Sequence, residues 1–468
     1  MTSPLFDKQA TGGGIARNGF DYQDAYLMQH FPVFLAQGAF SHTVSEVLGD
    51  IEVRYYRPSG GTHCVLYEAK RNQLTKTALW AEVARFFEVF EKAPDEYVRF
   101  VLVCGDFNGE LNPLFNKLER LRGPGASLNS DSAIRSSAEA DIIATVEGFG
   151  QSSTTARFVL ERVSFVKYDD SQIDGNFASA LVSRLPVVAD MRGSEIAAFR
   201  STCKSLVEHS IRGVVTRAAL EAALVSAAPT MSTVWRSNAT SIDLGLSAPS
   251  KIEELHLDVA RFNGPNRGSL GSEWQQLGGQ AQLLGKFVHE SRDRRAVRLS
   301  AKQRMSLACL LGFSFSATRD FTLEMLHNGA IFDTSVHERA SVPPFTKDET
   351  PGKDLAGQGI VAITFPNAEW ADIKVAADGR GLCDAACLHL HSPATVGTIQ
   401  ELNALVHEVK AALCTFRSSH RIQCLHLFIK APSVFAMALG HRLNGVGTVQ
   451  LYDWVDNQYQ ATVQLSSS

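Results

Sequence analysis

No apolar run in the 468 residues approaches the roughly 20 needed to cross a bilayer. The first residues, Met-Thr-Ser-Pro-Leu-Phe-Asp-Lys, lack the apolar stretch of a secretory leader, so a cytoplasmic protein without membrane association is expected. Cysteine is sparse: 8 residues without paired spacing argue against a disulfide framework and fit reduced thiols. Cys383 and Cys387 lie near His389 and His391, but no second pair stands at ligand spacing. Alternation along a strand accounts for them better than zinc. Positive charge is not in excess either. With a formal net charge of -4, any nucleic-acid surface has to be local, as at Lys70, Arg71 and Lys76 or Lys117, Arg120 and Arg122. A solvated face has the same composition.

What is present is ordinary globular material, 45% hydrophobic and 20% charged, in a chain too long for one core. Two or three domains are expected. After an irregular opening segment, Phe20 to Phe34 has helical spacing. Val44 to Tyr56 and Thr62 to Ala69 alternate as strands about a Pro58-Ser59-Gly60-Gly61 turn. Thr75 to Glu91 is an amphipathic helix, and Tyr97 to Cys104 is apolar enough for a buried strand. Residues 123–155 read as loops with one short helix, Phe158 to Val166 as a strand, and about 174–227 as helical. Residues 228–250, rich in Ser, Thr, Pro and Asn, read as a linker. Beyond it, strands are expected at Leu255 to Phe262, Phe321 to His327, Gly359 to Phe365, Ala385 to His391, Ile422 to Ile429 and Thr448 to Tyr452. Helices are expected at Leu299 to Leu311, Val396 to Phe416 and Ser433 to Leu443. Two strand–helix–strand cycles of this kind suggest paired Rossmann-like halves.

The chemistry concentrates in the first hairpin. Phosphodiester hydrolysis at neutral pH needs an activated water and neutralised phosphate charge, and hard oxygen ligands hold Mg²⁺ for both tasks. Asp50 and Glu68 on adjacent strand ends can converge on one ion. Lys70, two residues past Glu68, projects from the same strand face. Glu52 shares the face of Asp50, as does Glu46, and either is a candidate further ligand. Two other acid-x-Lys triplets differ: Asp372-Ile373-Lys374 lacks an acidic partner strand, and Glu408-Val409-Lys410 lies in a helical pattern. A surface hairpin closed by a salt bridge would also carry such residues.

This layout resembles the PD-(D/E)xK nucleases. The segment Gly19-Phe20-Asp21-Tyr22-Gln23, then Glu46, Asp50-Ile51-Glu52, Glu68-Ala69-Lys70 and Leu74-Thr75, is similar to a particular family. That family is the CD-NTase-associated protein 4 effectors of CBASS anti-phage systems, whose N-terminal domain is a double-stranded DNA endonuclease. The likeness covers about residues 12–110. It implies Asp50, Glu68 and Lys70 as the catalytic set, with Gln23 near the site. Relatives often carry Gln where Glu68 stands, and Glu is fully compatible with metal binding.

Downstream, His426 to Pro432, Ala436 to Gly440, Leu443-Asn444 and Val449 to Trp454 read as strand, turn, helix and strand. The helix start at Ser433 presents free N–H groups suited to phosphate. An ordinary crossover has the same features. The stretch nevertheless resembles the closing part of SAVED domains, fused CARF-like halves that sense cyclic oligonucleotides, across about residues 251–460. Ligands of such sheets lie beyond the carboxyl ends of the strands. That topology selects Arg261, Phe262 and Asn263, His391 and Ser392, and Lys430 with Ser433. Arg298 is preferred from the basic run Arg292 to Arg304, which otherwise reads as a solvated or subunit-facing helix.

The expected fold class is therefore α/β: a PD-(D/E)xK restriction-endonuclease-like domain, then a SAVED domain of two CARF-like Rossmann halves. The expected divisions are 1–227 for the nuclease domain with its helical extension, 228–250 for the linker and 251–468 for the sensor. The implied activity is Mg²⁺-dependent cleavage of double-stranded DNA, switched on by a cyclic di- or trinucleotide through homo-oligomerisation. A nuclease without small-molecule control and a non-catalytic sensing scaffold are the alternatives.

Overall fold

The computed structural model describes residues 8–209, 213–245, 251–263, 271–353 and 357–466, with side chains from Phe20 on, Gln172 excepted. The chain forms two compact units. The first holds residues to Arg57 and Gly61–Ser232, and the second holds Pro58–Gly60 and the residues from Thr233 on.

Six strands build the sheet of the first unit: β1 (Phe40–Ser45), β2 (Ile51–Tyr56), β3 (Thr62–Leu74), β4 (Tyr97–Phe107), β5 (Val163–Lys167) and β6 (Val214–Thr216), in the order β5-β4-β3-β2-β1-β6. β1, β2 and β3 run antiparallel, whereas β3, β4 and β5 run parallel. One face of the sheet, with Cys64 and Leu66 of β3 and Phe100 and Leu102 of β4, packs on Leu79, Val83 and Phe86. Those three lie at helical spacing on α2 (Lys76–Lys92), whose first turn is closed by Thr75 Oγ1 accepting from Ala78 N. The opposite face carries Tyr67, which meets Tyr26 of α1 (Lys8–Ala36).

Two readings of this unit need correction. Val44 to Tyr56 is not one strand. Glu46 takes a positive φ of 58° and its N–H bonds Asp50 O, so the chain reverses between β1 and β2. Glu46 therefore leaves the strand face of Asp50. Phe158 to Val166 is mostly helix. Ser152 caps the helix Ser153–Arg162, and only Val163 onward is strand. The polar stretch before it also carries a 16-residue helix, Ala133–Gly148.

The second unit has two sheets. The first comprises β7 (Thr240–Ser241), β8 (Ala296–Ser300), β9 (Thr322–His327) and β10 (Ala330–Asp333), in the order β10-β9-β8-β7. The second comprises β11 (Thr346–Thr350), β12 (Gln358–Thr364), β13 (Ala386–His391), β14 (Cys424–Lys430), β15 (Thr448–Val455) and β16 (Gln458–Leu465), in the order β11-β13-β12-β14-β15-β16. Each has a parallel centre, with β10, β11 and β16 antiparallel at the edges. The paired α/β halves expected from the sequence are present. Helices Met305–Ser314 and Ser433–Arg442, one from each half, meet at glycines. A Cβ on Gly312 would strike Met437 O, and one on Gly440 would strike Cys309 O.

Here too the local readings shift. Leu255 to Phe262 forms no extended strand. It holds an isolated bridge at His256 and a helical turn, Ala260–Asn263. Leu299 to Leu311 divides into the end of β8, a loop, and Met305–Ser314. The stretch 228–250 carries the helix Ser232–Ser237 and β7, and its last residues, 246–250, lie outside those described.

Candidate active site and sensor cavities

Asp50 ends the β1–β2 turn, and its Oδ2 accepts from Ala69 N at 2.6 Å. That bond ties the turn to β3 one residue past Glu68. Glu68 continues the face of Cys64 and Leu66, so its carboxylate emerges beside α2. Its Oε1 accepts from Lys70 Nζ at 2.6 Å, and its Oε2 from Arg85 Nη2. Glu82, one turn before Arg85 on α2, bonds Arg85 at 2.9 Å and lies 3.2 Å from Lys70 Nζ. The structure thus gathers Asp50, Glu68 and Lys70 as the hairpin spacing predicts. It adds Glu82 and Arg85, which the sequence reading missed. Their signal was available: α2 covers the face whose parity is that of Glu68, and its polar flank has to meet that residue.

The electrostatics are those of a crowded anionic pocket. Burial, and then the neighbouring Glu68 charge, push the Asp50 carboxyl up to about 6. Burial alone would lower the Lys70 ammonium, but Glu68, Glu82 and Asp50 hold it above its usual value. Two carboxylates that repel each other, offering only hard oxygen, form a donor set suited to a divalent cation of the Mg²⁺ or Ca²⁺ kind. Lys70 and Arg85 supply the balancing charge here.

Glu52 does not join them. It is fully buried, with its carboxylate bonded to Arg54 and to Leu48 N at 3.2 Å. Arg54 also bonds Glu96 and, at 3.0 Å, Tyr97 Oη. Glu52 thus anchors a separate ion group. Gln23 is buried on α1, which packs on the other face of β3.

In the second unit, a cavity of about 740 Å³ is lined by Asn263, Arg298, Lys302, Gln303 and Arg304 among others. A neighbouring cavity of about 400 Å³ is lined by Gln303, Arg304, Lys430, Asp453, Trp454 and Tyr459 among others. Gln303 and Arg304 belong to both, in the loop between β8 and the helix Met305–Ser314. Three predicted contacts line these cavities, Asn263 and Arg298 the first and Lys430 the second. Asn263 Oδ1 accepts from Arg304 N at 3.1 Å, Arg298 pairs with Glu324 at 2.6 Å, and Lys430 pairs with Glu369. The other predicted contacts line neither cavity. Arg261 is exposed and pairs with Glu273, and Phe262 is buried against Trp274. His391 pairs with Asp348, and Ser392 bonds Pro343 O and Ala394 N. Ser433 opens its helix behind Pro432 without a side-chain cap.

The run Arg292 to Arg304 is not a solvated helix. Arg292 and Arg294 are buried, the latter 4.3 Å above the Trp235 ring, and β8 carries Arg298. Gln303 and Arg304 were not singled out because the loop ahead of Met305 read as helix, and Trp454 was not because it stands in a stretch read only as strand.

Two family models match the chain. "Cap4, dsDNA endonuclease domain" covers residues 11–188, and "SMODS-associated and fused to various effectors sensor domain" (SAVED) covers 280–465. The protein is thus an endodeoxyribonuclease fused to a sensor domain, and such a nuclease domain implies a divalent-metal requirement. CD-NTase-associated protein 4 of Acinetobacter sp. (strain ATCC 27244 / 9458) is 39% identical over 467 residues, 100% of both chains. Its counterpart in Moraxella osloensis is 38% identical over the same length. The chain belongs to the CD-NTase-associated protein 4 family. A solved Acinetobacter baumannii Cap4 receptor with the cyclic trinucleotide 2'3'3'-cAAA superimposes with TM-score 0.87 at 37% identity, covering 96% of this chain and 99% of that one. The Moraxella osloensis receptor superimposes with TM-score 0.83 at 36% identity, covering 96% and 100%.

Proposed function

We propose that this protein is a Mg²⁺-dependent endonuclease that degrades double-stranded DNA in the cytoplasm when its sensor half binds a cyclic trinucleotide, as an effector of anti-phage defence. The nuclease role belongs to the residues up to 227 and sensing to 251–468. Among the described residues no helix is long and apolar enough to cross a membrane. The relative solved with cyclic triadenylate supports a three-base ligand over a two-base one.

The observation that carries the catalytic reading is the convergence of Asp50, Glu68 and Lys70. A divalent cation, when bound, supplies a more acidic water and a Lewis acid for the phosphate. Asp50 and Glu68 would hold it, with Asp50 fixed by the Ala69 N–H. Lys70, kept charged by its acidic neighbours, orients the attacking water or donates to a phosphate oxygen. Arg85 and Glu82 position the Glu68 carboxylate and the Lys70 ammonium. In the sensor, the cations Arg298, Lys302, Arg304 and Lys430 suit the phosphates of a cyclic ligand, and Trp454 and Tyr459 suit base stacking. Ligand binding drives homo-oligomerisation, which brings nuclease domains together on the duplex.

Plasmid digestion with Mg²⁺ and a panel of cyclic di- and trinucleotides tests the reading. Cutting is expected only with a cyclic trinucleotide. Lys70→Ala should lose it while keeping the fold and the calorimetric ligand affinity. Undiminished cutting by that variant removes the catalytic assignment, and cutting without any nucleotide removes the gating.

A further inference from the structure

Away from both sites, the sensor half brings together three side chains that suit a different kind of metal. Asp348 of β11 stands directly across from His389 of β13 in the antiparallel register, and His391 lies two residues further on the same strand face. The ligand atoms of these three side chains all lie within 4.8 Å of one another. His391 Nε2 is already 3.1 Å from Asp348 Oδ2.

Their surroundings hold them in place. His389 is buried, and its Nε2 lies 2.8 Å from Thr364 Oγ1 on β12, which anchors the ring. Trp370, at the start of the helix Ala371–Asp378, stacks on it at 5.3 Å with planes 22° apart. His391 and Asp348 face outward, which leaves a path for an ion and open positions for water. The nearby cysteines are directed elsewhere. Cys383 is exposed beside Asp384, and Cys387 donates to Ala385 O.

We infer that Asp348, His389 and His391 form a binding site for a divalent transition-metal ion of the Zn²⁺ kind. Two imidazoles and one carboxylate form a borderline donor set that favours Zn²⁺, Co²⁺ or Ni²⁺ over Mg²⁺ or Ca²⁺. The Thr364 hydroxyl bonded to the far nitrogen of His389 is an outer contact of the kind that orients metal-binding imidazoles, and the Trp370 indole packs the ring from one side. The ion would bridge β11, exposed along its whole length, to the buried β13. Its role is that of a cross-strand clasp on the edge of the second sheet, and the reading is independent of the nuclease assignment.

Full-length protein carrying Asp50→Asn and Glu68→Gln, so that the nuclease carboxylates do not compete, is titrated with Co²⁺ in millimolar Mg²⁺. The expected result is one equivalent of bound Co²⁺ with visible d–d absorption, displaced by Zn²⁺. Adding His391→Ala or Asp348→Asn, both at exposed or half-exposed positions, should abolish that uptake. Zn²⁺ should also slow amide exchange across residues 346–350 in the parent and leave it unchanged in both variants. Equal uptake in parent and variants, or none in the parent, overturns the site.

Discussion

At the residue scale, Asp50 is the most informative side chain, because its carboxyl is raised from 3.8 to about 6. A carboxyl raised in the folded state binds its proton more tightly there than in the unfolded chain. Its contribution to stability is therefore full below about pH 4 and lost as pH rises through about 6. At neutral pH the ionised, metal-free Asp50 is a liability. Asp50→Asn keeps an oxygen for the Ala69 N–H and removes the repulsion from Glu68. The metal-free variant should be more stable by on the order of 1–2 kcal/mol at pH 7.5, after allowing for partial solvent screening. Thermal melts in chelator check this, and a lower midpoint for the variant would count against the anionic pocket. If Asp50 is catalytic as proposed, the same group should set the acid limb of cleavage. Initial rates should fall as pH drops through about 6, with the midpoint moving lower as Mg²⁺ rises, because cation and proton compete for Asp50. A midpoint indifferent to Mg²⁺ would point to another titrating group. Arg85 acts through Glu68. Arg85→Ala should slow cleavage roughly 10- to 100-fold, the usual effect of losing a partner of a metal ligand. The Mg²⁺ dependence should shift with it, which separates positioning from simple unfolding.

At the scale of elements, the glycine contact between Met305–Ser314 and Ser433–Arg442 stands out. Each helix follows a parallel strand of a different half, and neither tolerates a side chain at the crossing. Gly312→Ala should destabilise the protein by about 1–3 kcal/mol, the common range for overpacking. It should also weaken ligand binding, since Gln303 and Arg304 lead directly into the displaced helix. Retained stability and affinity would show that the helices have room to part.

What the sequence revealed follows from the same local physics. Glu68 and Lys70 were legible because a strand has an exact period of two, and Thr75 with Leu79, Val83 and Phe86 marked α2 plainly. The turn before Asp50 was hidden because Val47 and Leu48 are apolar yet exposed, so they continue a strand pattern through a reversal. Phe158-Val159-Leu160 lies within a helix, the first two buried and the third half-buried, but reads equally well as a strand, since a short apolar run carries no period. Of the residues that line the two cavities, Asn263 and Lys430 were picked out by the rule about strand ends and Arg298 by the basic run that contains it. Arg304 was not, because four residues of loop between β8 and its helix leave no sequence mark. Asp348 and His389 pair across 40 intervening positions, beyond any local pattern.

At the scale of the whole molecule, charge limits how the enzyme meets DNA. A chain of net charge -4 has no general attraction for a polyanion, so affinity has to come from local cations such as Arg71, Lys76 and Arg120. An assembly of the kind proposed would multiply the phosphate contacts of one protomer without new chemistry. To move from about 1% to 99% assembled, the ligand has to favour the assembled state by roughly 10⁴-fold. By linkage, DNA then tightens ligand binding by the factor through which ligand tightens DNA binding. The dependence on salt reports the number of contacts directly, because log affinity falls with log salt in proportion to the phosphates neutralised. For the Asp50→Asn protein, which on the proposed assignment should not cleave, the slope measured with cyclic triadenylate should be at least about twofold steeper than without it. A steeper slope means that ligand recruits further protomers onto the duplex. Equal slopes with a higher intercept would mean that the ligand acts within a single nuclease domain, and gating by assembly would be wrong.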